Sequence, residues 1–468
     1  MRTNTIQTTD LANSTKEKWD EDDLVQRLCR TLDFAERAIR QLGENGYADS
    51  VEQQATVRPE KLIAETAILL LAASKVSDYA AIGPRILRVA SLLVPHARSP
   101  RMLRGICLEP AVAFEYATAH ICLKRLGFYD PDFDAMLDLS AASQASDGRE
   151  RAPHRMLEQE WLKQGWLYPE GLPRLRSGSQ VTNSVLNRTM DLLHGTREDV
   201  YCFTHALMYL RDFNLFTRPL PRMREALLEE AEGMLARCLD EQDYDLAGEV
   251  LLAWPLTGES WSSAAAFAFR VLARVESAAG FLPAPTTRVG YMKSLDPETG
   301  RQYFLATAYH TVYVMGLLCA AALSSGRRPP VKIPLTPVRA GAFDAVSKCL
   351  EGDDRRAHWQ DDADELEPAE RESLAGFFLS IGLHREFGRR NFAAMERLLS
   401  VGTALGLTAN PVASQAAEMM TRVSQFALFE PLLPRLQYDS ARKAESSADG
   451  ARASNVWGEA SPQAVGLS

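Results

Sequence analysis

The chain has 468 residues, with 52 Lys+Arg against 61 Asp+Glu and a formal net charge of −9. Hydrophobic residues make up 46% and charged residues 24%, which excludes a disordered chain, a collagen-like chain and a small disulfide scaffold. The acidic balance speaks against a strongly basic nucleic-acid binder, and the length allows about two to three domains or one large helical assembly.

Met1 to Trp19 is polar, has no apolar core and reads as a flexible leader on the sequence alone. Helical spacing begins with Leu24, Leu28, Leu32, Ala35 and Ile39, and Gly43 and Gly46 end it. A second helix opens at Pro59 and runs through Leu62, Thr66, Leu69, Leu70 and Ala73, with Glu60, Lys61 and Glu65 on another face. The pattern continues at Leu87–Val94, Ala111–Leu126, Phe133–Ala142 and Glu150–Trp161. Gln164 to Val181 is rich in Gly, Pro, Arg and Ser and reads as a long loop. Helical signals resume over Asn183–Asn214 with a break at Gly195, then over Met223–Leu239, Asp243–Trp254, Ser260–Ala278 and Tyr303–Leu323.

No stretch shows sustained period-2 alternation between hairpin turns, so the spacing predicts an all-α protein of paired antiparallel helices. Pairs of this kind close into an α/α toroid or stack as a helical solenoid. The Gly280-Phe281 turn between an amphipathic helix and the apolar Tyr303–Leu323 helix favours the toroid. That apolar helix contains His310 and small residues, which predicts a buried core helix and no membrane span. The main helical domain is expected over residues 20–325, and a Pro-rich linker over 326–337. A C-terminal helical region is expected over 338–437 and a disordered tail over 438–468. Seven cysteines, an odd number with no CxxC pair, read as reduced and mostly buried thiols of a cytoplasmic protein.

The segment from Asp191 to Phe213 carries the chemistry. Thr196 and Asp199 have capping-box spacing and mark a helix start. At 100° per residue, Glu198, Cys202, His205, Tyr209 and Asp212 fall on one stripe, with Phe203, Leu207, Leu210 and Asn214 opposite. A solvated stripe prefers Lys, Glu and Gln, whereas these side chains titrate, ligate metal or transfer protons. His194 and Tyr201 flank the same space. His310 lies in an apolar helix beside Tyr309, and an imidazole buried there needs hydrogen-bond partners. His205, His310, Glu198 and Asp212 are the expected catalytic residues, with His194, Tyr201, Cys202, Tyr209 and Tyr309 around a small-molecule substrate. In the alternative reading the carboxylates are solvated and the histidines tie helices together.

His194, His205 and His310 with Glu198 or Cys202 have the donor types of a metal site, but no HxxxH, HExxH or CxxC spacing supports one, and none is expected. No Gly-rich phosphate loop occurs, so no nucleotide cofactor is expected. Trp161, Trp166, Tyr168, Arg174 and Arg176 mix aromatic and basic residues, which suits an anionic substrate or an RNA backbone. Glu351–Glu372 and Asp20–Asp23 together carry the excess acid; without them the rest of the chain has a net charge of +2. The acidity is thus expected in loops, and charge is neutral on a tRNA partner.

Four segments carry a family resemblance. Arg58–Leu70, Arg197–Phe213, Tyr244–Glu249 and Tyr309–Gly316 resemble bacterial all-helical proteins of the DUF6895 type over roughly residues 20–325. No catalytic residues are carried over from that type. Such chains are associated with actinobacterial biosynthetic clusters and with the setting of the seryl-tRNA-dependent valanimycin transferase. What that implies is a group-transfer enzyme of specialised metabolism. Its most concrete form moves an aminoacyl (seryl) group from aminoacyl-tRNA to an amine or hydroxylamine. A toroid-type cyclase, a metal-dependent enzyme and a non-catalytic helical scaffold are the alternatives.

Overall fold

The structure, a computed structural model, describes residues 19–43, 57–170, 179–215, 218–350 and 358–427. The expected leader up to residue 18, the tail from 438 and the Arg174/Arg176 pair lie outside the described residues. Every regular element among the described residues is an α- or 3-10 helix, so the protein is all-α. Trp19, the last residue of the expected leader, is buried edge-to-face on Phe269 at 5.8 Å.

Helices α1 (Glu21–Arg40), α2 (Pro59–Ala73) and α3 (Gly83–Ala97) form the N-terminal group. The expected Ala111–Leu126 helix is broken at Ala117 into a short turn and α4 (Thr118–Arg125). Helix α5 spans Pro153–Leu167, so it runs past Trp161 and takes Trp166 out of the expected loop. Helix α6 is Arg197–Leu210; α7 (Arg224–Asp240), α8 (Tyr244–Leu251) and α9 (Ser263–Ala279) follow. Helix α10, Pro297–Ser325, is the longest and is capped at both ends. Asp296 accepts from the Glu298 and Thr299 amides at 3.1 Å, and Gly326 closes it at φ +65°.

The expected helix before Gly195 does not form. A 3-10 turn at Val185–Asn187 and irregular chain take its place. Polar side chains compete for the backbone there. Asn187 Nδ2 donates to the Thr182 carbonyl at 3.1 Å. Gln415 serves the Leu192 amide (2.8 Å) and the Met190 carbonyl (2.6 Å).

One apolar core runs through the described chain, from Trp19 to Met419. Helix α10 packs on α1, α2 and α8, although α1 is far away in sequence. Helix α10 thus ties the far end of the main body back to its first helix. By length and composition α10 could cross a bilayer, with mean hydropathy 1.5 over its most apolar stretch, but 78% of that stretch is buried against protein. Two glycines make its packing possible. A Cβ at Gly316 would lie 2.5 Å from Thr31 of α1, and one at Gly248 of α8 would lie 2.6 Å from Val314.

The Gly326–Pro337 segment carries no helix and is strapped to the core. Trp261 donates to the Arg327 carbonyl (2.9 Å), Ser263 to the Pro334 carbonyl (2.6 Å), and Ile333 is buried. Beyond it, α11 (Ala375–Gly388) packs on α7 and α12 (Phe392–Leu405) packs on α11. Among the described residues the acidic segments are mostly helical and not loops. Asp20 caps α1 and Glu21, Asp22 and Asp23 fill its first turn, where the helix dipole favours negative charge. Asp362 is buried on Arg274 at 2.6 Å.

Candidate functional site

Four helices each turn one face toward a common cavity. On α2 these are Lys61, Glu65 and Ile68; on α5, Arg155 and Glu158; on α6, Tyr201, His205, Met208 and Tyr209; on α10, His310, Tyr313, Val314 and Leu317. The spacings of three, four and seven are those of one helical face. Ala64 of α2, Glu115 just before α4, Thr118 at its start, Glu249 from α8 and Phe213, after the end of α6, complete the wall. About 70 Å3 is open inside, enough for a small polar molecule or a few waters.

Sequence and fold position the histidine on α6 through its cap. The Thr196 amide donates to Asp199 Oδ2 (2.6 Å) and the Asp199 amide to Thr196 Oγ1 (3.3 Å), which starts the helix at Arg197. Two turns on, His205 Nδ1 lies 3.2 Å from the Tyr201 carbonyl and 3.5 Å from Glu249 Oε2. A carbonyl only accepts, so Nδ1 carries the proton and Nε2 the lone pair. Nε2 makes no hydrogen bond among the described residues. Burial, together with the positive charges of Arg155 and His310, holds His205 well below the usual histidine range, so it is neutral at pH 7. The Tyr201 ring stacks on the imidazole at 3.6 Å.

His310 is in the opposite state. Its Nδ1 lies 3.1 Å from Glu65 Oε2, and its Nε2 lies 3.3 Å from Glu249 Oε1 and 3.7 Å from Asp245 Oδ1. Burial would discharge the ring, but Glu65, Asp245 and Glu249 outweigh burial and hold it charged, well above 6.5. In return His310 and Lys61 overcome the burial of Glu65 and lower its carboxyl to about 2. Burial raises the Glu249 carboxyl against the pull of His310. Glu249 also accepts from the Thr204 hydroxyl at 2.6 Å. One carboxylate thus bridges a neutral and a charged histidine. Arg155 is paired with Glu158 at 2.8 Å, and Glu158 accepts from the Tyr209 hydroxyl at 2.9 Å.

The structure brings His205, His310, Tyr201 and Tyr209 together on the cavity. Tyr309 lies behind, its ring edge-on to His310 at 6.2 Å. The other expected residues are elsewhere. Cys202 and Glu198 sit on the flank of α6 beside His154, with Cys202 Sγ 3.2 Å from His154 Nδ1. His194 is half exposed, next to Asp191 and Phe387. Asp212 is fully buried and bound by Arg125 (2.9 and 2.6 Å) and Trp161 Nε1 (2.5 Å). It leaves the predicted stripe because α6 ends at Leu210 and residues 212–214 turn left-handed, at φ +48°, +50° and +70°. The same turn carries Phe213 into the cavity wall.

Glu65, Arg155, Glu158, Asp245 and Glu249 were not singled out as site residues from sequence. For Glu65 and Glu249 the signal is a carboxylate inside an apolar helical run, as at Glu249 in Leu246–Trp254. Buried acids are rare unless paired, so each such position implies a cationic partner.

Residues 28–320 match the family described as a domain of unknown function, DUF6895, and the chain belongs to that family. No curated protein and no solved structure matches the chain.

Proposed function

We propose that the protein is an enzyme that transfers an acyl group to a small amine or hydroxylamine held in the His205–His310 cavity. The observation that carries the reading is the tautomer of His205, with Nδ1–H on the Tyr201 carbonyl and the lone pair of Nε2 unengaged on the cavity wall. In the proposed step the acceptor nitrogen forms a bond to the acyl carbon and gives its proton to Nε2. The bond from that carbon to the leaving oxygen breaks, and the imidazolium of His205 returns the proton to that oxygen. Glu249, 3.5 Å from Nδ1, stabilises the imidazolium in between. His310, with both nitrogens on carboxylates, has no lone pair for a base and acts as a positioning residue that holds Glu249 and Glu65 in place.

The four carboxyls of Glu65, Glu115, Glu158 and Glu249 line the cavity with the three cations Lys61, Arg155 and His310, which favours an amine-bearing acceptor. For the donor, the resemblance suggests an aminoacyl ester of the seryl-tRNA kind, in a pathway of specialised metabolism. Arg174 and Arg176, expected to contact such a donor, lie outside the described residues.

The test offers the purified protein seryl-tRNA or simple aminoacyl esters, with hydroxylamine-type and amine acceptors, and follows the product by mass spectrometry. The expected result is product formation that His205→Ala abolishes without unfolding the chain. If esters react and seryl-tRNA neither reacts nor binds at low salt, the RNA-borne donor is wrong. If no donor reacts and His205→Ala only lowers the melting temperature, the scaffold reading replaces the enzyme.

A further inference from the structure

The N-terminal half of α6, on the same side as His205 but outside the cavity lining, carries a second constellation. Glu198 and Cys202 are one turn apart on α6, so their side chains stand side by side. His154, at the start of α5, meets them from the neighbouring helix. One ligand atom from each of the three lies within 4.8 Å of the others, and the Cys202 Sγ to His154 Nδ1 distance is 3.2 Å. In a tetrahedral zinc site, bonds of about 2.0–2.3 Å place donor atoms roughly 3.5 Å apart. Two of the three donors are already at that spacing. The third, Glu198, is exposed on α6 and has no hydrogen bond or ion pair among the described residues, so a rotamer change closes the set.

We infer that His154, Cys202 and Glu198 form a binding site for a zinc-class divalent metal ion, with a fourth position open to solvent. The donor set selects the ion: a sulfur and an imidazole nitrogen suit zinc or cobalt and disfavour magnesium or calcium, which take oxygen ligands. The thiolate and Glu198 carboxylate neutralise the divalent charge. Arg155, the nearest cation in sequence, is already paired with Glu158, which limits its repulsion. His154 is 5% exposed, and the Cys202 thiol is the hydrogen-bond partner of its Nδ1. A thiol is a weak partner for a buried imidazole nitrogen, and a metal ion on Nδ1 would compensate its desolvation better.

The position gives the metal a consequence. Tyr201 stands between the two sites: its ring is edge-on to His154 at 5.7 Å and stacked on His205 at 3.6 Å. An ion that clamps α5 to α6 at His154 therefore also fixes the stack that orients His205. The metal site itself stands independently of the acyl-transfer reading, and its test needs no substrate.

The experiment titrates the reduced full chain with Co2+ and then displaces it with Zn2+. The expected result is one equivalent of cobalt with a thiolate-to-cobalt charge-transfer band that zinc removes, and protection of the Cys202 thiol from a disulfide reagent by zinc. Cys202→Ser should abolish the band, and Glu198→Gln, on an exposed side chain that leaves the fold intact, should weaken cobalt binding by about 10-fold or more. Cys107 and Cys349 are the exposed thiols among the described residues, so their double Ser variant should keep the band. Absence of the band, its survival in Cys202→Ser, or its loss in the Cys107/Cys349 double variant overturns the proposal.

Discussion

Two buried polar clusters meet α6 and the turn behind it, and they differ in how completely their partners are used. Around Asp212 the arrangement is closed. Arg125 and Trp161 place three N–H donors on two carboxylate oxygens, and Asp212 has no exposed surface. Around Glu249 the arrangement is open. His205 keeps an unengaged Nε2, and the side chains of His310 and Glu65 are 28% and 20% exposed beside the cavity. Both clusters contain titratable residues on or next to one helix. Residue type therefore does not separate a structural cluster from a chemical one. What separates them is the hydrogen-bonding capacity left over for a ligand.

Substitutions break the comparison in order of expected size. His205→Ala should lower acyl transfer by about 100- to 10,000-fold, the range for loss of a general base, with a small change in melting temperature. Asp212→Asn leaves Arg125 buried opposite a neutral amide and should cost about 3–5 kcal/mol of stability in urea unfolding. It should do so while surviving folded protein keeps its turnover. If His205→Ala destabilises as much as Asp212→Asn, the open cluster is structural after all. Gly248→Ala is the intermediate case. Its new Cβ meets Val314 at 2.6 Å, so α8 must shift on α10, at a cost of about 1–3 kcal/mol. That shift moves Glu249 next door, so turnover should fall along with stability; an unchanged turnover would detach Glu249 from the chemistry.

Much of this was legible in the sequence, and the losses have physical causes. The all-α class followed from 3.6-residue spacing, and the start of α6 from Thr196 and Asp199. His205, Tyr201 and Tyr209 were legible as neighbours because they share one helix. Asp212 was misplaced because a helical projection assumes the helix continues, and the left-handed turn at 212–214 ends it. Glu65, Glu249 and His154 were missed for another reason. Periodicity says which residues share a face, but not which face of which distant helix it will meet. The 183–194 stretch has apolar residues at helical spacing, but Asn187 and Gln415 take its backbone groups into other bonds.

The smallest expected effect is the most direct reading of the open cluster, because it depends on pH rather than on deletion. The folded value of His310 is raised above its ordinary 6.5, so its stabilisation is complete below pH 6.5 and is lost as pH rises through the folded value. The folded value of Glu65 is lowered from 4.5 to about 2, so its stabilisation is complete above pH 4.5 and is lost as pH falls toward 2. The two overlap fully between pH 4.5 and 6.5. Urea unfolding of the wild type and of Glu65→Gln across pH 3 to 9 should therefore differ most in that window, with the difference shrinking on either side. Imidazole NMR gives the complementary view, with His205 staying neutral well below pH 6.5 while His310 stays charged above it. A stability difference that is flat from pH 4.5 to 9 would mean that Glu65 does not hold the charge on His310. Glu249 would then bridge two neutral rings, and the open cluster would lose the asymmetry that sets it apart from Asp212.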